Sequence, residues 1–187
     1  LYRRIREHFR GRIDAICDEI CSDPNKRAVF VSGPTSSGKT TFTLRLSNTI
    51  NARGRKAFHL SLDDYYNLKS LKCDKDGRPD FETIDALDVD RIQRDIKALL
   101  NGETVVPPFF DFLTRTPMEG DPANAICLGD DGVLVVEGLH GLSQVPYWVA
   151  YGNIRLILQN HLWHGKKVDS IWCVVCELLA VRLYAPI

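Results

Sequence analysis

The chain has 187 residues, of which 44% are hydrophobic, and this is enough for one compact α/β domain but too little for two. Its 24 basic and 24 acidic residues cancel, so no overall positive field exists to hold a nucleic acid. No apolar run approaches the roughly 20 residues that span a bilayer, and we expect no membrane partner.

The cysteine pattern bears on the compartment. Six cysteines are scattered along the chain, without the density of a secreted disulfide scaffold, which favours a reducing environment and a cytoplasmic protein. The arginine-rich start lacks the hydrophobic stretch of a signal peptide. The only methionine is Met118, so we expect the sequence to be a fragment or a processed product. The sequence leaves open whether the chain forms a homo-oligomer.

The first predicted elements are a helix, a strand and a second helix. Apolar side chains recur every three or four residues from about Tyr2 to Cys21, which predicts an amphipathic helix. The apolar segment Arg27–Ser32 predicts a short buried strand. A helix is predicted from Lys39 to about Ala52, closed by Gly54.

The remaining elements continue the alternation of strand and helix. We predict a strand at Lys56–Leu62, a helix at Asp85–Leu100 and a strand at Gly132–Val136, with loops at about 73–80 and 116–131. Strands that alternate with helices predict an α/β fold, with a mostly parallel sheet and helices on both faces.

The segment Gly33–Thr40, GPTSSGKT, matches the pattern G-x-x-x-x-G-K-[ST] between the first strand and its helix. Two glycines let backbone N–H groups turn toward a phosphate, Lys39 reaches the outer phosphates, and the Thr40 hydroxyl can bind Mg²⁺. This predicts a P-loop NTPase fold that binds a nucleotide together with Mg²⁺. The residues predicted to hold the nucleotide are Gly33, Pro34, Thr35, Ser36, Ser37, Gly38, Lys39, Thr40 and Thr41.

Acidic residues follow two of the predicted strands. Asp63 and Asp64 come directly after the strand that ends at Leu62, where a carboxylate could accept a hydroxyl proton. Glu137 ends the strand that begins at Gly132, where an acid could bind Mg²⁺ directly or through water. These positions alone leave open a switch GTPase, a motor-like ATPase and a small-molecule kinase.

Five segments resemble the uridine kinase and phosphoribulokinase family of P-loop kinases in order and approximate spacing: GPTSSGKTTF, SLDDYY, PDFETIDALD, PPFFDF and GVLVVEGLHGL. The resemblance covers about residues 27–142 and is closest to uridine kinase-like proteins, which often carry an extra N-terminal domain related to threonyl-tRNA synthetase. It implies ATP-dependent phosphoryl transfer to a hydroxyl of a nucleoside, uridine- or cytidine-like, or of a related sugar. We therefore divide the chain into an N-terminal helix (1–24), a kinase core (25–142) and a divergent tail (143–187).

The resemblance also implies roles for single residues. Asp63 matches the acid beside the substrate 5′-hydroxyl, and Tyr66 matches the aromatic that closes on the nucleoside. Glu82 falls where uridine-cytidine kinases have an Asp that holds the ribose hydroxyls. Phe112 matches a segment that helps to enclose the base. The predicted catalytic residues are Lys39 and Asp63, the substrate-binding residues are Tyr66, Glu82, Phe112 and Arg115, and the metal-binding residues are Thr40 and Glu137.

Arg115 departs from the family pattern, because uridine-cytidine kinases have a His there that reads the pyrimidine edge. A guanidinium can hold a phosphate with paired hydrogen bonds. An alternative function is therefore a phosphoribulokinase-like kinase of sugar phosphates.

The tail after Leu142 does not continue the resemblance. Family members have an arginine-rich lid, whereas only Arg155 and Arg182 remain in this tail. The tail is either a divergent ending or the product of a shifted reading frame, and the kinase fold is expected to be incomplete at the lid. An ATP-binding regulatory or inactive module is a further alternative.

The tail contains two predicted elements and four candidate zinc ligands. Residues 153–158 predict a strand beside the sheet, and residues 169–183 predict a helix. Four residues that zinc could use, with a spacing that matches no known zinc module, are His161, His164, Cys173 and Cys176. We expect the two cysteines to pack as small hydrophobic side chains instead.

Overall fold

The structure of the protein is a computed structural model that describes residues 2–32, 38–68, 71–73, 75–77, 79–81, 83–139, 154–157 and 180–184. The helices are α1 (Tyr2–Cys21), α2 (Lys39–Ala52) and α3 (Val89–Leu100). The strands are β1 (Ala28–Ser32), β2 (Lys56–Ser61), β3 (Phe109–Asp111), β4 (Thr116–Met118), β5 (Gly132–Glu137), β6 (Ile154–Ile157) and β7 (Ala180–Tyr184). Short 3₁₀ turns occupy Leu62–Tyr65, Ile84–Ala86 and Pro122–Asn124.

One sheet organises the fold, with its strands in the order β2-β5-β1-β7-β6. Strands β1 and β2 both pair with β5 in parallel, which places Val31 and Ser61 on either side of Glu137. Strand β7 is antiparallel to both β1 and β6, so it alone among the described strands of this sheet runs in the opposite direction. The predicted α/β fold with a mostly parallel sheet is confirmed.

Each face of the sheet has its own apolar cluster because the side chains of a strand alternate between the two faces. Val133 and Val135 of β5 pack in the cluster of α1 and α2, whereas Leu134 and Val136 pack in the cluster of α3. All four side chains are buried, and this explains why β5 is a continuous apolar run. The sheet is therefore covered by helices on both faces, as the sequence predicted.

The C-terminal part of the sheet corrects one prediction. The prediction of a helix over about 169–183 is wrong for its last residues, because Ala180–Tyr184 is strand β7. A short apolar run fits a helix and a strand equally well, and the free edge of β1 offers it hydrogen bonds. Residues 169–179 lie outside the described residues. The strand predicted at 153–158 is confirmed as β6, although it pairs with β7 and not with the parallel core.

Two further features differ from the sequence-based expectation. The helix predicted to begin at Asp85 begins at Val89, because the Asp88 carboxylate accepts a hydrogen bond from the backbone N–H of Arg91 and caps the first turn. The hairpin of β3 and β4 was not predicted, since three-residue strands give little periodicity and Pro117 lies within the second strand. Within the described residues, no helix is long and apolar enough to cross a membrane.

Candidate functional site

The candidate site lies at the edge of the sheet where β1, β2 and β5 end. Parallel strands end at the same edge, so the residues that follow them converge there. Glu137 is the last residue of β5, which lies between β1 and β2, Ser61 is its partner on β2, and Asp63 follows in the 3₁₀ turn. The sheet therefore brings the two acidic segments together.

Helix α2 begins at this edge. Gly38 precedes it with φ 83° and ψ 18°, a left-handed conformation that glycine adopts without the strain of a side chain. Its carbonyl accepts a hydrogen bond from the Phe42 N–H at 3.0 Å, so the helical hydrogen bonds begin at the glycine. Lys39 is half-buried as the first helical residue, and Thr41 is exposed in the same turn. The other predicted nucleotide-binding residues, 33–37, lie outside the described residues.

Thr40 and Glu137 form the central contact of the site. The Thr40 hydroxyl donates a hydrogen bond to Glu137 Oε1 at 2.9 Å. The other carboxylate oxygen, Oε2, is buried and makes no hydrogen bond of normal length to a described residue, although the nearby Thr43 hydroxyl contributes to lowering the pKa of Glu137. A buried carboxylate oxygen without a partner is costly unless something binds it.

This pair fits a magnesium ion, because Mg²⁺ prefers oxygen ligands and uses few carboxylates. The described residues contain no group of three or more His, Cys, Asp or Glu side chains that offers a different metal site. Burial alone would raise the pKa of Glu137, but the nearby His59 and the Thr40 hydrogen bond outweigh burial and lower it. The carboxylate is therefore ionised at neutral pH, as a metal ligand must be.

His59 is a residue of this site that the sequence reasoning missed. Its Nε2 atom lies 3.9 Å from Glu137 Oε1. It occupies the position two residues before Ser61 on β2, so it projects from the same face of the sheet as Ser61. A histidine between the apolar residues Phe58 and Leu60 was the available signal.

The two neighbouring aspartates differ in their surroundings. Asp63 is half-buried, and its backbone N–H donates to the Ser61 hydroxyl at 3.3 Å. Asp64 Oδ1 accepts a hydrogen bond from the Phe110 N–H at 3.4 Å, which ties the turn to strand β3. Burial raises the pKa of Asp64 more than this hydrogen bond lowers it.

Four aromatic rings form a cluster beside the aspartates. Tyr66 lies edge-on to Phe81, Phe110 and Phe112, with ring centroids 5.1, 5.2 and 6.1 Å away. The Tyr66 hydroxyl donates to the Phe81 carbonyl at 3.2 Å. Phe112 is 60% exposed, so this side of the cluster is open to a ligand.

Arg115 joins this aromatic cluster. Its guanidinium carbon lies 5.8 Å from the centroid of the Phe81 ring, within reach of a cation–π interaction. Tyr66 is thus brought together with Phe112 and Arg115, which lie in a different segment of the chain. Phe81 was missed, although it directly precedes Glu82 in a motif already noted. Glu82 itself lies outside the described residues.

Comparison with known families gives one match that covers most of the chain. The sequence model of the Phosphoribulokinase / Uridine kinase family matches residues 29–151. This range includes Lys39, Asp63 and Glu137. The additional N-terminal domain that the resemblance implied stays a prediction.

Individual relatives are distant but cover most of the chain. A “Uridine kinase” of Lactobacillus helveticus (strain DPC 4571) is 26% identical over 154 residues, which are 76% of this chain and 72% of that protein. A “Probable uridine-cytidine kinase” of Caenorhabditis elegans is 28% identical over 151 residues, which are 76% of this chain and 56% of that protein. The solved structure of a “Possible Uridine Kinase” from Bacillus stearothermophilus has a TM-score of 0.54 at 23% identity, covers 70% of this chain and 71% of its own, and shares the fold.

Proposed function

Because the chain belongs to the phosphoribulokinase and uridine kinase family, we propose that it transfers the γ-phosphoryl group of ATP to a hydroxyl of a nucleoside or a related sugar. The observation that carries this proposal is the Thr40–Glu137 pair, with its unpartnered buried oxygen, between the start of α2 and the turn that holds Asp63. Relatives named as uridine kinases support a nucleoside as the acceptor.

The residues at the start of α2 would bind the phosphates of ATP. The N–H groups of a helix N-terminus attract anions, and Gly38 lets the backbone turn into the helix there. Lys39 would neutralise charge on the outer phosphates. Mg²⁺, when bound by Thr40 and Glu137, would supply further positive charge beside the transferring group.

Asp63 would act on the acceptor. It lies in the turn after β2, on the opposite side of Glu137 from β1. A carboxylate there would accept a hydrogen bond from the acceptor hydroxyl, orient its oxygen and take its proton during transfer. Phosphoryl transfer depends almost entirely on such positioning and on electrostatic stabilisation.

The aromatic cluster would hold the rest of the acceptor. Tyr66 and Phe112 offer faces and edges to a planar base or to the apolar face of a sugar. Arg115, beside Phe81, favours a second candidate, a sugar phosphate whose charge the guanidinium would hold. A panel of acceptors that includes nucleosides, sugars and sugar phosphates therefore belongs in the test.

The test compares Lys39→Ala with Asp63→Asn. We expect Lys39→Ala to abolish binding of Mg-ATP, measured by isothermal titration calorimetry, because it removes the charge that holds the outer phosphates. We expect Asp63→Asn to keep that affinity but to lower phosphoryl transfer by about 10²–10⁴-fold, the usual contribution of a general base. The matched control is Asp130→Asn, at an exposed turn far from this edge.

Three outcomes separate the candidate functions. Unchanged ATP affinity and transfer in both variants would contradict the assignment of the site. Binding of Mg-ATP by the parent chain without turnover of any acceptor would favour the ATP-binding module. Turnover of sugar phosphates alone, with a higher KM in Arg115→Ala, would favour the sugar-phosphate kinase.

A further inference from the structure

A cavity of about 500 Å³ lies along the outer edge of β2, between this strand and the hairpin of β3 and β4. Its size falls within the roughly 300–1,000 Å³ that are typical of small-molecule sites. The residues that bound it come from β2, from the turn after it, and from residues 107–109 and 118–126. The cavity is therefore lined by three separate parts of the chain.

The cavity lies beside the proposed kinase site, and His59 borders both. None of the residues assigned to ATP, to Mg²⁺ or to the acceptor lines it among the described residues. Phe109 and Met118 are cross-strand partners in the hairpin, and both line the cavity. Phe110, the next residue, belongs to the aromatic cluster, so the cavity and that cluster use opposite faces of the hairpin.

The wall that the hairpin forms is held by a close backbone contact. A Cβ atom added to Gly120 would lie 1.8 Å from the carbonyl oxygen of Pro107. Only glycine allows the two segments to approach this closely. The relative position of the two segments, and with it the shape of the wall, is thereby fixed.

The charge around the cavity is negative. Asp64, Glu119 and Asp121 line it, and no lysine or arginine does so within the described part of the chain. Glu119 is already paired with Arg91, with 2.9 Å between Oε2 and Nη2. Asp121 accepts a hydrogen bond from the Ala123 N–H at 2.8 Å. Asp64 is the carboxylate best able to accept a hydrogen bond from a ligand. The one hydrogen bond that it accepts from the described residues is the long bond from the Phe110 N–H.

Another part of the cavity lining is apolar. Pro107, Pro108, Phe109 and Met118 line the cavity, and Phe109 and Met118 are 53% and 50% exposed. Such walls suit a planar ring, and a methionine side chain adapts to different ring shapes. A ring that carries N–H donors at one end would contact these walls and Asp64 together.

We propose that this cavity is a second small-molecule site, which takes a planar aromatic or heterocyclic ring with a cationic or N–H donor group directed at Asp64. An anionic ligand is disfavoured by the three carboxylates. His59 lines the cavity and lies 3.9 Å from Glu137 Oε1, and Asp64 accepts from Phe110. An occupant of the cavity therefore touches residues that contact both the carboxylate of the candidate site and the aromatic cluster. The proposal concerns binding and does not rest on the kinase function.

The test uses two rings of equal size and opposite charge, benzamidine and benzoate. Binding is measured by titration of the ¹⁵N-labelled protein, without nucleotide, at pH 7.5, with NMR chemical shifts as the readout. We expect benzamidine to shift the amide signals of Asp64, Phe109 and Phe110, and to bind about tenfold or more tightly than benzoate because it makes a charge-assisted hydrogen bond.

Matched variants locate the binding. Asp64→Asn keeps an oxygen for the Phe110 N–H but removes the charge. We expect this variant to weaken binding of benzamidine about tenfold and not to weaken binding of benzoate. Phe109→Ala should weaken both rings, whereas Leu113→Ala, at a 97% exposed position of the hairpin that does not line the cavity, should weaken neither. Asp130→Asn is the control for charge.

Two results would overturn the proposal. One is equal binding of benzamidine and benzoate, which would show that the carboxylates do not select the ligand. The other is binding of benzamidine that Asp64→Asn and Phe109→Ala leave unchanged, which would place the ring elsewhere. Loss of Mg-ATP binding in Lys39→Ala is measured separately, so a failure of the cavity proposal is distinguishable from a failure of the kinase proposal.

Discussion

Asp95 of α3 is a half-buried carboxylate that the proposed reaction does not use. It accepts a hydrogen bond from the Tyr65 hydroxyl at 3.0 Å, and Arg91 Nε lies 3.8 Å from it. Burial nevertheless raises the pKa of Asp95, because it outweighs the hydrogen bond from Tyr65 and the attraction of the nearby arginines. The residue links α3 to the turn that carries Asp63, so its ionisation affects the stability of the fold around the site.

The sign of this effect gives a prediction. A carboxyl group whose pKa is higher in the folded state holds its proton longer there, so folding stability falls as pH rises from the unfolded pKa of about 3.9 through the folded one. Asp95→Asn keeps an acceptor for Tyr65 and cannot ionise. We expect the variant to gain stability relative to the parent as pH rises from 3 to 6, measured by urea unfolding. A difference that does not change with pH, or that resembles the Asp130→Asn control, would contradict this.

Helix α2 has a glycine in the left-handed conformation at each end. Gly38 precedes the helix with φ 83°, and Gly54 follows it with φ 89°. A Cβ atom at Gly54 would meet nothing within 4 Å, so the strain there is purely that of the backbone. The two glycines share one conformational requirement but lie at opposite ends of the helix, and only Gly38 is next to Lys39 and Thr40.

These glycines make a matched pair of variants. We expect Gly38→Ala and Gly54→Ala each to lower the free energy of unfolding by about 1–2 kcal/mol, because alanine is strained at positive φ. Only Gly38→Ala should also weaken binding of Mg-ATP, since it alone alters the backbone beside the residues proposed to bind phosphate. Calorimetry with Mg-ATP and urea unfolding on both variants provide the check. An equal loss of ATP affinity in Gly54→Ala would mean that the effect is general instability.

At the scale of the whole molecule, α1 is part of the core and not an appendage. Phe9, Ile13, Ile16 and Ile20 are buried against α2 and the sheet. Arg53, at the end of α2, bonds the Asp14 and Asp18 carboxylates of α1 at 3.0 and 2.6 Å. The face of the sheet that carries Glu137 is therefore covered by α1 and α2. In the sequence, α1 precedes residues 33–37 and α2 follows them.

The stability of the molecule should depend on this packing. Ile20 is 0% exposed, and we expect Ile20→Ala to lower the free energy of unfolding by about 2–5 kcal/mol, as a cavity in a packed core does. Leu44→Ala, at a 57% exposed position of α2, is the control and should change it by less than about 0.5 kcal/mol. Urea unfolding measures both. Similar values for the two variants would mean that α1 does not contribute to the core.

The sequence by itself determined the elements whose signals are local. Amphipathic periodicity over twenty residues located α1 within its observed bounds, and the glycine pattern located α2 and the site beside it. The apolar runs of β1 and β5 were recognisable because both faces of these strands are buried. In each case the signal lies within one continuous stretch of chain.

Only the tertiary structure decided which distant residues meet. Thr40 and Glu137 are 97 positions apart, and their hydrogen bond exists because β1 and β5 are paired in one register. The strand Ala180–Tyr184 forms against the free edge of β1, a partner that its own composition does not specify. The aromatic cluster and the cavity likewise arise on the two faces of one short hairpin, whose strands are stable only in contact with the rest of the fold. Pairing and packing of this kind depend on the whole chain, and no local pattern encodes them.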